Sequence, residues 1–283
     1  MKPDYSRYDA ILLDLDGTLC HDDHPVPGAV EFVARLHAAG KVVGVISNSG
    51  SGPLRVQMRL HAMNIEIDAA RIYTAAAHAA DTVLETWSPE RLGGRRARAF
   101  NVATESIHEM LDGRVDWVQH AGEPCDCVLV ASPTSGRYTE AAWRTALHLA
   151  RDGADIVALC ADRVFPSRRG LEFGAGAAAA LLAYAANREP VFCGKPQPAF
   201  FLHVCQRLGV APGRCLLVGD NLESDIAGGR RVGMDGALVL TGVTRRRDAV
   251  HLPEAQRPVT VADDLIALMP PRPDAPRPDA SPR

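Results

Sequence analysis

The chain has 283 residues, 47% hydrophobic and 23% charged, a globular composition that excludes a largely disordered protein. At this length it buries roughly three-quarters of the surface its unfolded form exposes, so stability requires neither a disulfide nor a metal. A net charge of −3 gives no basic excess for nucleic acid or an anionic membrane, and no apolar run is long enough to span a bilayer. The first apolar run, Ala10–Leu13, is too short for a signal peptide. The seven cysteines are scattered, and Cys125-Asp126-Cys127 lacks the two-residue spacer of zinc and redox motifs. Reduced thiols and a cytoplasmic location are expected.

In chain order, Ala10–Leu13 reads as a strand followed by an acidic turn. Gly28–Ala39 reads as a helix with Val30, Val33, Leu36 and His37 on one stripe and Gly40 as its stop. Val42–Ile46 is a continuous apolar run, as in a parallel strand buried on both faces, and a helix is expected near Leu54–Met63. A second alternating stretch contains strands Cys127–Ala131 and Ile156–Cys160 around the helix Glu140–Arg151, with the uncharged run Phe173–Asn187 as a packed helix. Strands at Val191–Cys193, Cys215–Val218 and Ala237–Leu240, with helices at Ala199–Leu208 and Ser224–Val232, return to the first pattern.

This alternation predicts an α/β protein with a doubly wound, Rossmann-like parallel sheet. Its parts are 1–75 and 191–269, with a second α/β domain, 76–190, inserted between them. Residues 270–283 repeat Pro-Arg-Pro-Asp-Ala and read as a disordered tail.

The chemistry concentrates at predicted strand ends. Asp14 and Asp16, in Asp14-Leu15-Asp16-Gly17-Thr18-Leu19, put two carboxylates at the carboxyl edge of the sheet, where ligands bind. Like charges this close need a metal or a shared proton. Asp220, after the strand at 215–218, faces the same edge, and three such groups suit a hard cation such as Mg²⁺. Asp225 and Asn221 stand nearby in sequence to support the metal or a lysine. Ser47-Asn48-Ser49 offers hydroxyls, an amide and main-chain N–H groups for phosphate oxygens. Of 31 basic residues only Lys2, Lys41 and Lys195 are lysines, and Lys195 directly follows a predicted strand.

In chain order, Asp14-Leu15-Asp16-Gly17-Thr18-Leu19, Ser47-Asn48, Lys195 and Gly219-Asp220 with Asp225 resemble the four motifs of the haloacid dehalogenase superfamily. Pro27-Gly28-Ala29, Gly194-Lys195-Pro196-Gln197-Pro198 and Leu240-Thr241-Gly242-Val243-Thr244 resemble its NagD-like branch, subfamily IIA, of 4-nitrophenyl, nucleotide and other small-ester phosphatases. The resemblance implies a haloacid dehalogenase-like core with an α/β cap at 76–190. It further implies a Mg²⁺-dependent phosphatase for a small phosphorylated metabolite, a sugar phosphate or nucleoside monophosphate. In that scheme Asp14 is the nucleophile and Asp16 the acid and base. Mg²⁺ is held by the Asp14 side chain, the Asp16 carbonyl and Asp220, while Ser47, Asn48, Ser49 and Lys195 bind the phosphoryl group. Family members are often homodimers. The residues leave open a phosphomutase or phosphotransferase acting on a phosphosugar, or a non-catalytic sensor of a phosphometabolite.

The loop at Asp162, Arg163 and Phe165 departs from the branch pattern and is the candidate for cap specificity, with Arg168 and Arg169 beside it. Gly174-Ala175-Gly176 lacks the acidic partner of a dinucleotide fingerprint and reads as a glycine-rich helix entry. His21-Asp22-Asp23-His24 reads as a solvated flap rather than a second metal site.

Overall fold

The computed structural model describes residues 2–134, 137–167, 169–249 and 252–272. The chain opens with β1 (Ala10–Leu13), the two-residue hairpin strands β2 (Cys20–His21) and β3 (His24–Pro25), α1 (Ala29–Ala38) and β4 (Val42–Ser47). Next come α2 (Pro53–Ala62), β5 (Ile72–Thr74), α3 (Ala75–Thr86), β6 (Arg98–Val102), α4 (Glu105–Leu111) and β7 (Asp116–Trp117). The middle continues with β8 (Cys127–Val130), α5 (Glu140–Arg151), β9 (Asp155–Ala158), the hairpin β10 (Val164–Ser167) and β11 (Gly170–Phe173), and α6 (Ala175–Ala186). It ends with β12 (Pro190–Phe192), α7 (Pro198–Leu208), β13 (Cys215–Gly219), α8 (Gly228–Arg230), β14 (Asp235–Val239), β15 (Thr260–Ala262) and α9 (Leu265–Leu268).

Two compact units result: Met1–Ile46 with Gln57–Ile72 and Cys205–Arg283, and Ser47–Val56 with Tyr73–Val204. The first is built on a six-stranded sheet of order β15-β14-β13-β1-β4-β5, in which β1 pairs in parallel with both β13 and β4. Every residue of β1 and β13 is buried, as a strand covered on both faces requires. From β1 the order runs outward to β4 on one side and starts again at β13 on the other. The β1/β13 seam is therefore a topological switch point, and the carboxyl ends there form the place where open α/β sheets bind ligands.

The second unit has its own five-stranded sheet, β12-β9-β8-β6-β7, again with parallel pairs. Alanines let its helices pack closely: Ala75, Ala76, Ala79 and Ala80 of α3 lie on one side of the unit's core. Ala178, Ala179 and Ala183 of α6 join a second cluster with Val128, Val130 and Ile156.

Three expectations change. The strand near 191–193 does not return to the first sheet: β12 joins the edge of the second, pairing Val191 with Val157. A three-residue apolar strand carries no mark of which sheet it joins, and here Phe192 packs onto the second unit's core. The helix expected over 224–232 is a π-helical turn, Leu222–Ala227, followed by the single turn of α8. Gly228 and Gly229 are poor helix formers and Gly233 adopts a positive φ that ends it. On α1 the buried stripe is Ala29, Phe32, Val33 and Leu36; Val30 and His37 face out. The proposed tail falls, for residues 273–283, outside the described residues.

Candidate active site

Asp14 follows β1 without a break in the ladder, its N–H donating to the Val218 carbonyl at 2.9 Å. Asp220 follows β13 in the same way, across the switch-point seam. Asp225 arrives from the π-helical turn, where Ile226 N–H reaches back five residues to the Asn221 carbonyl at 3.2 Å. Carboxylate oxygens of Asp14, Asp220 and Asp225 lie within 4.8 Å of one another, and all three residues are buried. No other cluster of three or more potential metal ligands occurs among the described residues. Asp225 is thus a member of the acidic group itself.

The bare backbone around these carboxylates explains three glycines. A Cβ on Gly17, which has φ +88°, would stand 2.7 Å from Asp220 Oδ2. One on Gly219 would overlap the Asp225 carboxylate, and one on Gly242 would overlap Asp220 Oδ2. Asp220 Oδ2 accepts from the Val243 N–H at 2.6 Å, and Thr241 Oγ1 donates to the Gly17 carbonyl at 2.5 Å. The 241–243 loop therefore braces both halves of the acidic group, a role its sequence does not announce. Asn221 supports Asp225 through its main chain, donating N–H to Asp225 Oδ2 at 3.1 Å. Its side chain caps the turn by accepting from Glu223 and Ser224.

Asp16 is placed differently. Its side chain is more than half exposed and forms no part of the buried acidic cluster. The carboxylate instead pairs with Arg59 of α2, Nη2 to Oδ1 at 2.8 Å. Arg59 also donates through Nε and Nη2 to the Asp22 carbonyl in the β2–β3 hairpin. Burial opposes the Arg59 charge, but Asp16 outweighs it and holds the guanidinium's pKa above its ordinary value. No motif marks Arg59; an arginine one turn from Arg55 on an amphipathic helix reads as surface charge.

In the second unit, Ser47 ends β4 and its Oγ accepts from the Ser49 N–H at 3.0 Å, which leaves its own proton to donate. Ser49 Oγ accepts from Ser51 N–H at 3.1 Å. The Asn48 side-chain amide is engaged within the second unit. Asn48 Oδ1 accepts from the Lys195 N–H at 2.7 Å, and Nδ2 donates to the Lys195 carbonyl at 3.1 Å and to Asp162 Oδ2 at 2.9 Å. Both amide protons and the oxygen are used. Lys195 itself is buried.

Asp162 also accepts from the Cys160 thiol at 3.2 Å. Arg163 is exposed, and Phe165 is half-buried on β10 opposite Glu172; Arg168 lies outside the described residues. Gly174 and Gly176 are explained by close approach, since a Cβ on either would overlap the Asp162 or Ala161 carbonyl. His21 and His24 face each other across the small hairpin, both exposed. Burial pushes the Cys20 thiol up to about 12 and Cys193 up to about 11, so neither is a thiolate near neutral pH.

A family model described as haloacid dehalogenase-like hydrolase matches residues 11–114, and a second, HAD-hydrolase-like, matches 192–268. Together they take in Asp14, Asp16, Ser47, Asn48, Ser49, Lys195, Asp220, Asn221 and Asp225, and leave out the 160–165 loop. The chain belongs to the haloacid dehalogenase superfamily. Within that superfamily it is 28% identical over 264 residues to the 5'-nucleotidase YutF of Bacillus subtilis, covering 93% of this chain and 98% of that protein. It is 29% identical over 269 residues to the D-glycerol 3-phosphate phosphatase of Mycobacterium tuberculosis, covering 95% and 73% respectively. The 4-nitrophenylphosphatase of Thermotoga maritima superposes with a TM-score of 0.82 at 26% identity, over 94% of this chain and 97% of that one. The three share a reaction class, and this haloacid dehalogenase-type chain is a phosphoric monoester hydrolase.

Among the described residues no helix is long and apolar enough to cross a membrane.

Proposed function

We propose that the chain is a Mg²⁺-dependent phosphatase that hydrolyses a small phosphate monoester, of the sugar phosphate or nucleoside monophosphate class, through an aspartyl-phosphate on Asp14. The observation that carries this is the buried Asp14–Asp220–Asp225 group at the switch point. Its donors are all carboxylate oxygens, with no thiol or imidazole, which is the ligand chemistry of a hard divalent cation. Three buried carboxylates this close also demand positive charge. Asp14, Asp220 and Asp225, with the Asp16 carbonyl, would hold Mg²⁺, which when bound neutralises the carboxylates and draws charge from the phosphoryl oxygens. The related M. tuberculosis glycerol phosphate phosphatase, 28% identical with a TM-score of 0.81, is known in complex with magnesium and with calcium.

The residues then divide the work. A carboxylate oxygen of Asp14 attacks phosphorus in line, forming an acyl phosphate as the ester P–O bond breaks. Asp16 gives its proton to the departing alkoxide. It takes one back from the water that cleaves the acyl phosphate, which restores both aspartates. The Ser47 hydroxyl and the Lys195 ammonium bind phosphoryl oxygens, where their charge is worth most as the transition state spreads negative charge outward. Residues 76–190 act as the cap, discriminating among leaving groups, and the 160–165 loop belongs to that part. The named relatives act on nucleotides, glycerol phosphate and nitrophenyl phosphate, which supports a small ester and leaves the choice among esters to the cap.

Phosphate release from a panel of sugar phosphates, nucleoside monophosphates, glycerol phosphate and 4-nitrophenyl phosphate tests this, with Mg²⁺ and with chelator. One or more esters should turn over only with the cation. Turnover that ignores chelation removes Mg²⁺ from the reading, and isomerised ester in place of free phosphate replaces the hydrolase with a mutase.

A further inference from the structure

Asp162 lies in the loop expected to recognise the leaving group, yet its contacts point elsewhere. Its carboxylate is bound to the Asn48 amide at 2.9 Å and to the Cys160 thiol at 3.2 Å. Its carbonyl accepts from the Gly176 N–H at 2.9 Å, at the first turn of α6. The hairpin that projects beyond it, β10–β11, is closed at its base by Gly174 N–H donating to the Arg163 carbonyl at 2.9 Å. Asp162 is therefore held at the root of the hairpin by main-chain bonds that do not depend on the hairpin's tip.

From Asp162 the bonds lead in one direction. One Asn48 amide proton goes to Asp162. The other proton and the oxygen take the carbonyl and N–H of Lys195, at 3.1 and 2.7 Å. This pairs a side-chain amide with the main chain of a single residue, as two strands pair, and it fixes that residue's position and rotation together. Gly194 permits the approach, since a Cβ there would overlap Asn48 Oδ1 and stand 2.7 Å from the Leu159 carbonyl. A flipped Asn48 amide would set N–H against the Lys195 N–H and oxygen against its carbonyl, so the Lys195 main chain already selects one sense. Asp162 reinforces that sense and holds χ2, because a carboxylate only accepts and so admits only Nδ2.

We infer that Asp162 is a positioning residue for Lys195, acting through Asn48, rather than a residue that reads the leaving group. Selection among esters then falls to the exposed hairpin side chains beyond it, Arg163, Leu171 and Phe173. The inference rests on the phosphate-binding role proposed for Lys195.

The test compares Asp162→Ala, Asp162→Asn, Asn48→Asp and Lys195→Ala, and the double variant Asp162→Ala/Lys195→Ala, by kcat/KM on the ester panel with Mg²⁺. Asp162→Ala should lower kcat/KM about tenfold by the same factor for every ester, and should cost nothing further once Lys195 is gone, since residues acting through one another do not add. Asn48→Asp keeps the acceptor for the Lys195 N–H but loses both amide protons and sets a carboxylate against Asp162 and the Lys195 carbonyl, and should cost at least as much as Asp162→Ala. Asp162→Asn keeps an oxygen for Asn48 and should stay within about threefold of wild type. Calorimetric titration with inorganic phosphate, which has no leaving group, should show the same order of affinities. A changed ranking of esters, or full additivity with Lys195→Ala, or unchanged phosphate affinity in Asp162→Ala, overturns the inference. A wild type that binds phosphate but turns over no ester defeats the phosphatase reading alone, since the titration still reports on the lysine. If Asp162→Ala does not fold, the contrast between Asp162→Asn and Asn48→Asp decides.

Discussion

The acidic group at the end of the first sheet is buried and the bonded knot around Lys195 is half-buried, and both are made of polar side chains, but they are balanced in different ways. Around Asn48 every donor meets an acceptor: two amide protons, two acceptors, one oxygen, one N–H. Around Asp14 three acceptors of like charge crowd together, with the Val243 and Asn221 N–H groups as donors to two of them. The knot is complete as it stands and confers position. The acidic group gathers like charge, and the proposed function gives it a cation and the reaction.

The largest effect should follow from Asp14→Asn. Turnover should fall by about four orders of magnitude or more, as when a nucleophile is removed, with cooperative unfolding preserved; single-turnover phosphate release and thermal melting check both. Retained turnover would move the chemistry away from the acidic group. Gly242→Ala should come next: its Cβ falls on Asp220 Oδ2, so Mg²⁺-supported activity should collapse, with a cost of about 1–3 kcal/mol in denaturant unfolding from overpacking.

Arg59→Gln probes the one carboxylate outside the cluster. If Arg59 holds Asp16 for proton delivery, kcat/KM should drop roughly tenfold to a hundredfold for glycerol phosphate, whose alkoxide needs a proton. It should fall only slightly for 4-nitrophenyl phosphate, whose phenolate leaves without one. Equal losses on both esters would make Arg59 a strut for the hairpin only.

The smallest effect is on stability. With chelator present, Asp225→Asn should raise the melting temperature by about 2–4 °C, the shift that about 1 kcal/mol produces at this size. With Mg²⁺ the order should reverse, because only wild type gains the binding energy of the cation. A melting temperature indifferent to both variant and cation would mean that the acidic group is as closed as the knot.

How much of this is legible in the sequence follows the same division. The strands β1, β4 and β13 are legible because burial on both faces forces unbroken apolar runs. Asp14, Asp220 and Lys195 are legible because a charge placed directly after such a run seldom serves packing. Asp225 reads as an accessory, because its place in the cluster depends on a π-helical turn that periodicity does not show. The bonds of the Asn48 amide are not legible, because an amide at a strand end suits a phosphate or a backbone equally and its main-chain partner stands 147 residues away. Arg59 leaves no trace at all, since ion pairs between a helix and a turn have no fixed spacing. The strand at 190–192 is visible but points to the wrong sheet, since three apolar residues specify a strand and not its neighbour.

That last strand has a practical meaning for anyone who recombines these enzymes. β12 ends at Phe192, and three residues later the main chain of Lys195 is locked to Asn48. The edge of the second sheet is thus spliced almost directly to the lysine, with no slack between. A chimera that exchanges substrate-selecting regions by cutting before Pro190 would import a foreign sheet and keep the native lysine, joining two registers that were never matched. Junctions before Asn48 and beyond Pro198 carry sheet, lysine and lock as one cassette.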